Sequence, residues 1–185
     1  VDKDHRFAYM QQHTGQHVIS AAFVHTGAYP TISVHQGEEY TTIEIDAAAP
    51  APKELSAVED RANEIVTANT AVRDYLVDER NVPALELRRP PKVSGTIRIV
   101  EIDGFDRVAC GGVHLLRTGE VGWIKLINTE RIRGRVRTVW KIGRRAMADY
   151  RLRTQVTAAL TDHLSVQVPE IPDRVKKLQE RLGER

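Results

Sequence analysis

The stretch MQQHTGQHVISAAF, residues 10–23, sets His13 and His17 four positions apart in a segment with helical spacing. Phe7, Met10, Val18 and Ala21 carry that spacing through residues 4–25, and Gly27 follows, which predicts a helix closed by a glycine cap. Side chains at i and i+4 stand one above the other on a single helix face. The two imidazoles therefore point the same way, at the interval of a helical metal clamp. The plainer alternative is that two of the seven histidines fall on a polar face by chance. A second half-site elsewhere in the chain would decide between them.

ACGGVH, residues 109–114, offers that half-site. Cys110 and His114 repeat the four-residue interval across two glycines, which predicts a tight loop rather than a helix. One thiolate and three imidazoles make a donor set suited to Zn2+. Gly111 and Gly112 let the backbone fold closely around an ion or ligand. The alternative is a buried thiol near an unrelated loop histidine.

With 41% hydrophobic residues in 185, the chain can bury a core as one domain, or one domain with an appendage. Aromatic residues are only 5%, so that core is expected to be aliphatic. No run approaches the roughly 18 to 20 apolar residues of a membrane span, and the N-terminal residues lack the basic-then-apolar order of a signal peptide. A soluble, cytoplasmic protein with no membrane partner is expected. The sole cysteine, Cys110, excludes an internal disulfide framework, fits a reducing compartment and leaves a metal role open. The chain starts at Val1 with Met10 its first methionine, so it is expected to be a piece of a longer or processed protein.

The net charge of +2 conceals an asymmetry. Residues 1–87 hold 6 Lys/Arg against 14 Asp/Glu, a balance of −8, whereas residues 88–185 hold 21 against 11, a balance of +10. Between Arg131 and Arg153 nine basic residues face one acid, Asp149. Such a cluster is either the footprint of a phosphate-bearing partner, bound through counterion release, or an ordinary solvated face.

Along the chain, Thr31 to His35 and Tyr40 to Asp46 read as a hairpin. Ser56 followed by Glu59 fits a capping box for a helix to about Asn69. Strands are expected at Ala71 to Val77, Thr96 to Ile102, Val121 to Ile127 and Arg135 to Ile142, and Arg88-Arg89-Pro90-Pro91 breaks regular structure. A helix from about Arg144 to His163 precedes a shorter one over 173–185, whose Val175, Leu178 and Leu182 form an apolar stripe that needs a partner. Helices mixed with antiparallel strands in no regular alternation argue for an α+β fold.

HTGQH at 13–17 combined with CGGVH at 110–114 resembles the editing domain of alanyl-tRNA synthetases and of the free-standing alanyl-tRNA editing proteins. The resemblance extends through Met10-Gln11-Gln12, Ser33 to Glu39, Glu101 to Asp106, Arg117 to Gly122, Arg133 to Arg137 and Gly143 to Ala146. At Val113 the family usually carries Thr, so a substrate contact by that hydroxyl is absent here. The resemblance implies long helices on an antiparallel sheet, as in the second additional (editing) domain of threonyl- and alanyl-tRNA synthetases. It covers residues 1–155 as that domain; residues 156–185 are expected to be a helical linker whose apolar stripe starts a coiled coil, with a homodimer through this helix. Larger members of the family also carry a glycine-rich β-barrel before this region and a further domain after the coiled coil.

The implied activity is zinc-dependent hydrolysis, in trans, of serine or glycine wrongly esterified to alanine-accepting tRNA, with His13, His17, Cys110 and His114 as metal ligands and hence the catalytic set. A pocket built for a methyl group rejects an added hydroxyl only about a hundredfold, so a second, hydrolytic sieve is needed. Thr14, Gln16, His35 and Gly112 are the candidate substrate contacts. Arg131, Arg133, Arg137 and Arg144 are the candidate tRNA contacts. Two other readings remain: a zinc-stabilised RNA-binding module without catalysis, and a metal-dependent hydrolase of small acyl esters.

Overall fold

The computed structural model describes residues 2–183. The chain divides into two compact units, one up to residue 146 and one from residue 147. In the first, α1 (Lys3–Gly27) leads into a hairpin of β1 (Thr31–Gln36) and β2 (Thr41–Ile45). Then follow α2 (Pro52–Thr67), β3 (Val72–Asp78), β4 (Thr96–Ile102), β5 (Asp106–Ala109), β6 (Ile124–Ile132), β7 (Arg135–Ile142) and the first turn of α3 (Arg144–Leu164). The fold is α+β, but its antiparallel strands form two sheets rather than one: a four-stranded sheet in the order β1-β2-β7-β6 and a three-stranded sheet in the order β3-β4-β5.

Strand alternation sets which side chains enter the core. On β7, Val136, Thr138, Trp140 and Ile142 are buried while Arg135, Arg137 and Lys141 take the other face, as a two-residue period requires. Trp140 packs edge-on against Phe23 of α1 with ring centroids 6.0 Å apart, and its indole N–H donates to Thr138 Oγ1 at 2.7 Å. Ile43, Ile45, Val100 and Ile102 complete a core that is aliphatic apart from Phe23, Phe105 and Trp140.

Helix α1 is buried from Gln11 to Phe23 except at the half-buried His13, and the buried residues include the polar Gln11, Gln12, Thr14, Gln16, His17 and Ser20. Its polar side chains therefore bond to protein instead of water, as buried polar groups must. Gln12 Nε2 donates to the Ile142 carbonyl at 3.1 Å and its Oε1 accepts from Thr41 at 3.3 Å. Gly15, midway between the two histidines, lies so close to β7 that a Cβ there would sit 2.7 Å from Ile142 Cγ2.

Three local expectations are revised. The left-handed residue closing α1 is Ala28 (φ 54°), while Gly27 is needed because a Cβ would strike the Tyr29 ring at 2.2 Å. Helix α2 starts at Pro52, not Ser56: the Glu54 carboxylate accepts from the Ala51 N–H at 2.6 Å, and Pro52 at the first helical position has no N–H to leave unpaired. Strand β6 begins at Ile124 and runs to Ile132, because residues 118–121 form a 3₁₀ turn closed by Glu120 accepting from Arg117 N at 3.0 Å.

The second unit holds the rest of α3 and α4 (Ile171–Gly183). Along α3 the hydroxyls of Thr154 and Thr157 bond back to carbonyls one turn earlier, and Tyr150, Leu152 and Val156 are exposed. On α4, Val175 and Leu182 are exposed as well. No helix among the described residues is long and apolar enough to cross a membrane.

Candidate metal centre

Helix α1 and the loop after β5 bring His13, His17, Cys110 and His114 together, with one donor atom from each lying within 4.8 Å of all the others. His13 Nε2 and His114 Nε2 both stand 3.4 Å from Cys110 Sγ. A tetrahedron with zinc-like bonds of about 2.0 to 2.3 Å has edges of roughly 3.5 Å, so these spacings fit one ion shared by thiolate and imidazoles. The ring centroids of the three histidines are 4.2, 4.5 and 5.0 Å apart.

Two of the rings have a polar partner at their other nitrogen, and the third faces a carboxylate. His13 Nδ1 lies 3.2 Å from the Val113 carbonyl. A carbonyl only accepts, so Nδ1 carries the proton and Nε2 keeps its lone pair for the cluster. His114 Nδ1 lies 3.4 Å from Thr14 Oγ1. His17 Nδ1 is buried and lies 3.6 Å from Asp106 Oδ2, and Asp106 in turn receives Arg88 Nε at 2.7 Å and Nη2 at 3.2 Å.

Burial pushes the Cys110 thiol up, but the contacts from His114, His13 and His17 outweigh it and bring it down to about 3. Cys110 is therefore a thiolate at neutral pH, the form that binds metals. Burial lowers His114, with Cys110 opposing. Burial also works against charge on His17, yet Asp106 and Cys110 raise it overall. For Asp106, burial favours the neutral acid, and His17 and Arg88 more than reverse this.

The loop is held from two sides. Leu115 N donates to Thr14 Oγ1 at 3.0 Å, tying the loop to α1 between the two helical ligands. Arg98 Nη1 donates to the Cys110 and Gly112 carbonyls at 2.9 and 2.7 Å. A Cβ on Gly112 would meet His13 Cε1 at 2.1 Å, whereas one on Gly111 would meet nothing within 4 Å. Only the second glycine is required by close approach. Val113 serves through its carbonyl, and its residue surface is 44% exposed.

The other candidates distribute as follows. Thr14 is fully buried and occupied with Leu115 and His114. Gln16 is buried and donates to Ser20 Oγ at 2.8 Å. His35 is exposed on β1, opposite Thr42. Arg131 and Arg133 are exposed at the β6–β7 hairpin, Arg137 lies 3.8 Å from Glu130, and Arg144 donates to Asp4 at 2.9 Å. Sequence reading missed Arg98, Asp106 and Arg88. The segment Arg88 to Pro91 carries no helical or strand period, and only folding reveals that one of its arginines turns inward. Beside Cys110 a cavity of about 260 Å³ is lined by Arg89, Pro91, Lys92, Arg98 and Gly111.

Residues 97–137 match the family model of the threonyl and alanyl tRNA synthetase second additional domain. The alanyl-tRNA editing protein Aarsd1 of Danio rerio is 32% identical over 97% of this chain and 44% of its own length. The corresponding mouse protein, from Mus musculus, is 30% identical over 97% of this chain and 44% of its own length. An alanine–tRNA ligase of Thermofilum pendens is 30% identical over 98% of this chain and 21% of that enzyme. The chain thus spans less than half the length of these curated relatives. The residues matched by the family model reach into both sheets, and over nearly its whole length the chain is similar to the alanyl-tRNA editing family.

Proposed function

We propose that this chain hydrolyses the ester joining serine or glycine to alanine-accepting tRNA, using Zn2+ held by His13, His17, Cys110 and His114. The observation that carries the reading is the convergence of those four donors within 4.8 Å in a chain similar to this family along nearly its whole length. Zinc bound there supplies Lewis acidity toward an ester carbonyl or a water molecule. Aminoacyl esters are reactive already, and each 1.36 kcal/mol of barrier removed is about tenfold in rate.

The residues around the donors have definable tasks. Val113 O and Thr14 Oγ1 orient two of the rings, and Arg98 braces the loop that carries Cys110. The cavity beside Cys110, walled by Arg89 and Lys92, suits a phosphate-bearing acceptor end. Gln16 and His35, with Thr14 and Gly112, remain the proposed substrate contacts, and Arg131, Arg133, Arg137 and Arg144 the proposed contacts to the body of the tRNA. The editing domain is proposed to span residues 1–155 and the linker 156–185, with homodimerisation through the last helix and action in the cytoplasm.

Serine-charged alanine tRNA incubated with the chain, with and without a chelator, tests this reading. Serine should be released only where metal is retained. One feature favours a second reading, since four protein ligands fill a tetrahedron in the manner of a structural zinc. Bound tRNA with its ester intact in both tubes would establish an RNA-binding module instead. Free seryl esters consumed as fast as charged tRNA would establish a small-ester hydrolase.

A further inference from the structure

Of the three rings at the metal centre, His13 and His114 are oriented by neutral groups, a carbonyl and a hydroxyl. His17 differs. Its Nδ1 is buried, has no hydrogen-bond partner among the described residues, and faces Asp106 Oδ2 at 3.6 Å. The Asp106 side chain is 1% exposed and the Arg88 side chain 9%. Arg88 grips the carboxylate with two bonds, and its backbone N donates to the Arg107 carbonyl on β5 at 2.8 Å. The inward arginine comes from the Arg-Arg-Pro-Pro segment, which has no helix or strand of its own.

A guanidinium and a carboxylate taken out of water together gain little net stability, and apolar residues of similar volume hold a core as well. A pair kept here, with one carboxylate oxygen turned toward a ring nitrogen, is better explained by what it does for that ring. A carboxylate behind a metal-binding histidine fixes its tautomer and its direction. We infer that Asp106 and Arg88 are positioning residues for the metal centre: the Asp106 carboxylate holds the proton on His17 Nδ1 and so presents Nε2 to the ion, while Arg88 holds Asp106 in place. This rests on the metal reading proposed above and adds to it a charged layer behind the ligands. Helix α1, β5 and the segment around Arg88 meet in that layer, each supplying one member.

The test is metal affinity of the full chain, read by competition with a chelator for Zn2+ and by the visible spectrum of the Co2+-loaded protein. Asp106→Asn should weaken Zn2+ binding about 10- to 100-fold and shift the ligand-field bands of Co2+, because His17 is no longer steered by a negative charge. A single substitution strands the charge of Arg88 and risks the fold itself. The double variant Arg88→Met/Asp106→Asn removes both charges, so it should keep the thermal midpoint near that of the parent chain and still show the weakened affinity and altered spectrum. A folded double variant with parental Zn2+ affinity and an unchanged Co2+ spectrum would overturn the inference and leave the metal reading intact. A parent chain that takes up neither ion would overturn both.

Discussion

The four donors of the candidate metal centre and the nine cations between Arg131 and Arg153 are the two groups of candidate functional side chains that the sequence singles out, and the fold treats them in opposite ways. The donors come from segments about a hundred residues apart and end within 4.8 Å of one another. The cations are close in sequence, and those up to Arg145 are shared out among different partners. Arg135 and Arg137 lie on the outer face of β7, where Arg135 meets Glu44 and Asp46 and Arg137 meets Glu130. Arg144 binds Asp4 and covers the Phe7 ring, while Arg145 bonds to the Gly37 carbonyl and lies over Tyr9. The four donors converge across a long separation, whereas the charge density of Arg131 to Arg145 is divided by the strand period and partly neutralised by acids on neighbouring strands.

The sharpest way to break this contrast is to remove the thiolate. Cys110→Ala should reduce the zinc retained through dialysis from about one ion per chain to near zero, measured by elemental analysis. Full retention would mean the donors do not act as one site. Next in size is the pair Gly112→Ala and Gly111→Ala. The first forces His13 away and should weaken zinc binding by at least about tenfold, whereas the second enters open space and should leave both affinity and stability within about 0.5 kcal/mol. Equal effects would refute the assignment of the close approach to Gly112.

Thr14→Val leaves the buried Leu115 N–H without its acceptor and should cost about 1 to 3 kcal/mol in urea denaturation, with Thr14→Ser retaining most of it. On the basic side the effects should be smaller. Arg133→Ala should flatten the salt dependence of tRNA association by up to about one unit of log–log slope, and Arg137→Ala by less, because Glu130 already neutralises part of that charge. Equal slopes for both variants would mean that the ion pair does not set their availability. Smallest of all, Arg133 sits at φ 49° beside Gly134 at φ 79° in the β6–β7 turn, a geometry that favours Asn at the first of the two positions. Arg133→Asn should raise stability by roughly 0.5 to 1 kcal/mol, seen as a higher thermal midpoint.

Much of the site was legible because intervals of four carry geometry on their own. His13 and His17 share a face on any helix, and Cys110 with His114 flank two glycines that only a loop accommodates. The hairpin, β4, β7 and α3 were legible for a similar reason: β-branched alternation or helical spacing ran uninterrupted through each. The remainder was hidden where one signal stood in for another. Ser56 and Glu59 had the form of a capping box, but Pro52 and Glu54 had the stronger claim to the helix start. A polar face around the two histidines was one of the alternatives left open, and only the burial of Gln11, Gln12, Thr14 and Gln16, with β7 packed close on Gly15, shows that most of that face is enclosed. Arg88 and Asp106 are 18 positions apart with no periodicity between them, so nothing local announced their pairing.

The enclosure of α1 bears on how such a protein can change. From Gln11 to Phe23, His13 aside, each new side chain must displace an existing neighbour. The lining of the cavity beside Cys110, drawn from residues 89–93, 98 and 109–111, is exposed at Arg89, Lys92, Val93 and Gly111. Under the proposed activity, divergence in the esters accepted is therefore expected in that lining while the helix stays fixed, and a mutagenesis library seeking altered selectivity should concentrate its diversity there.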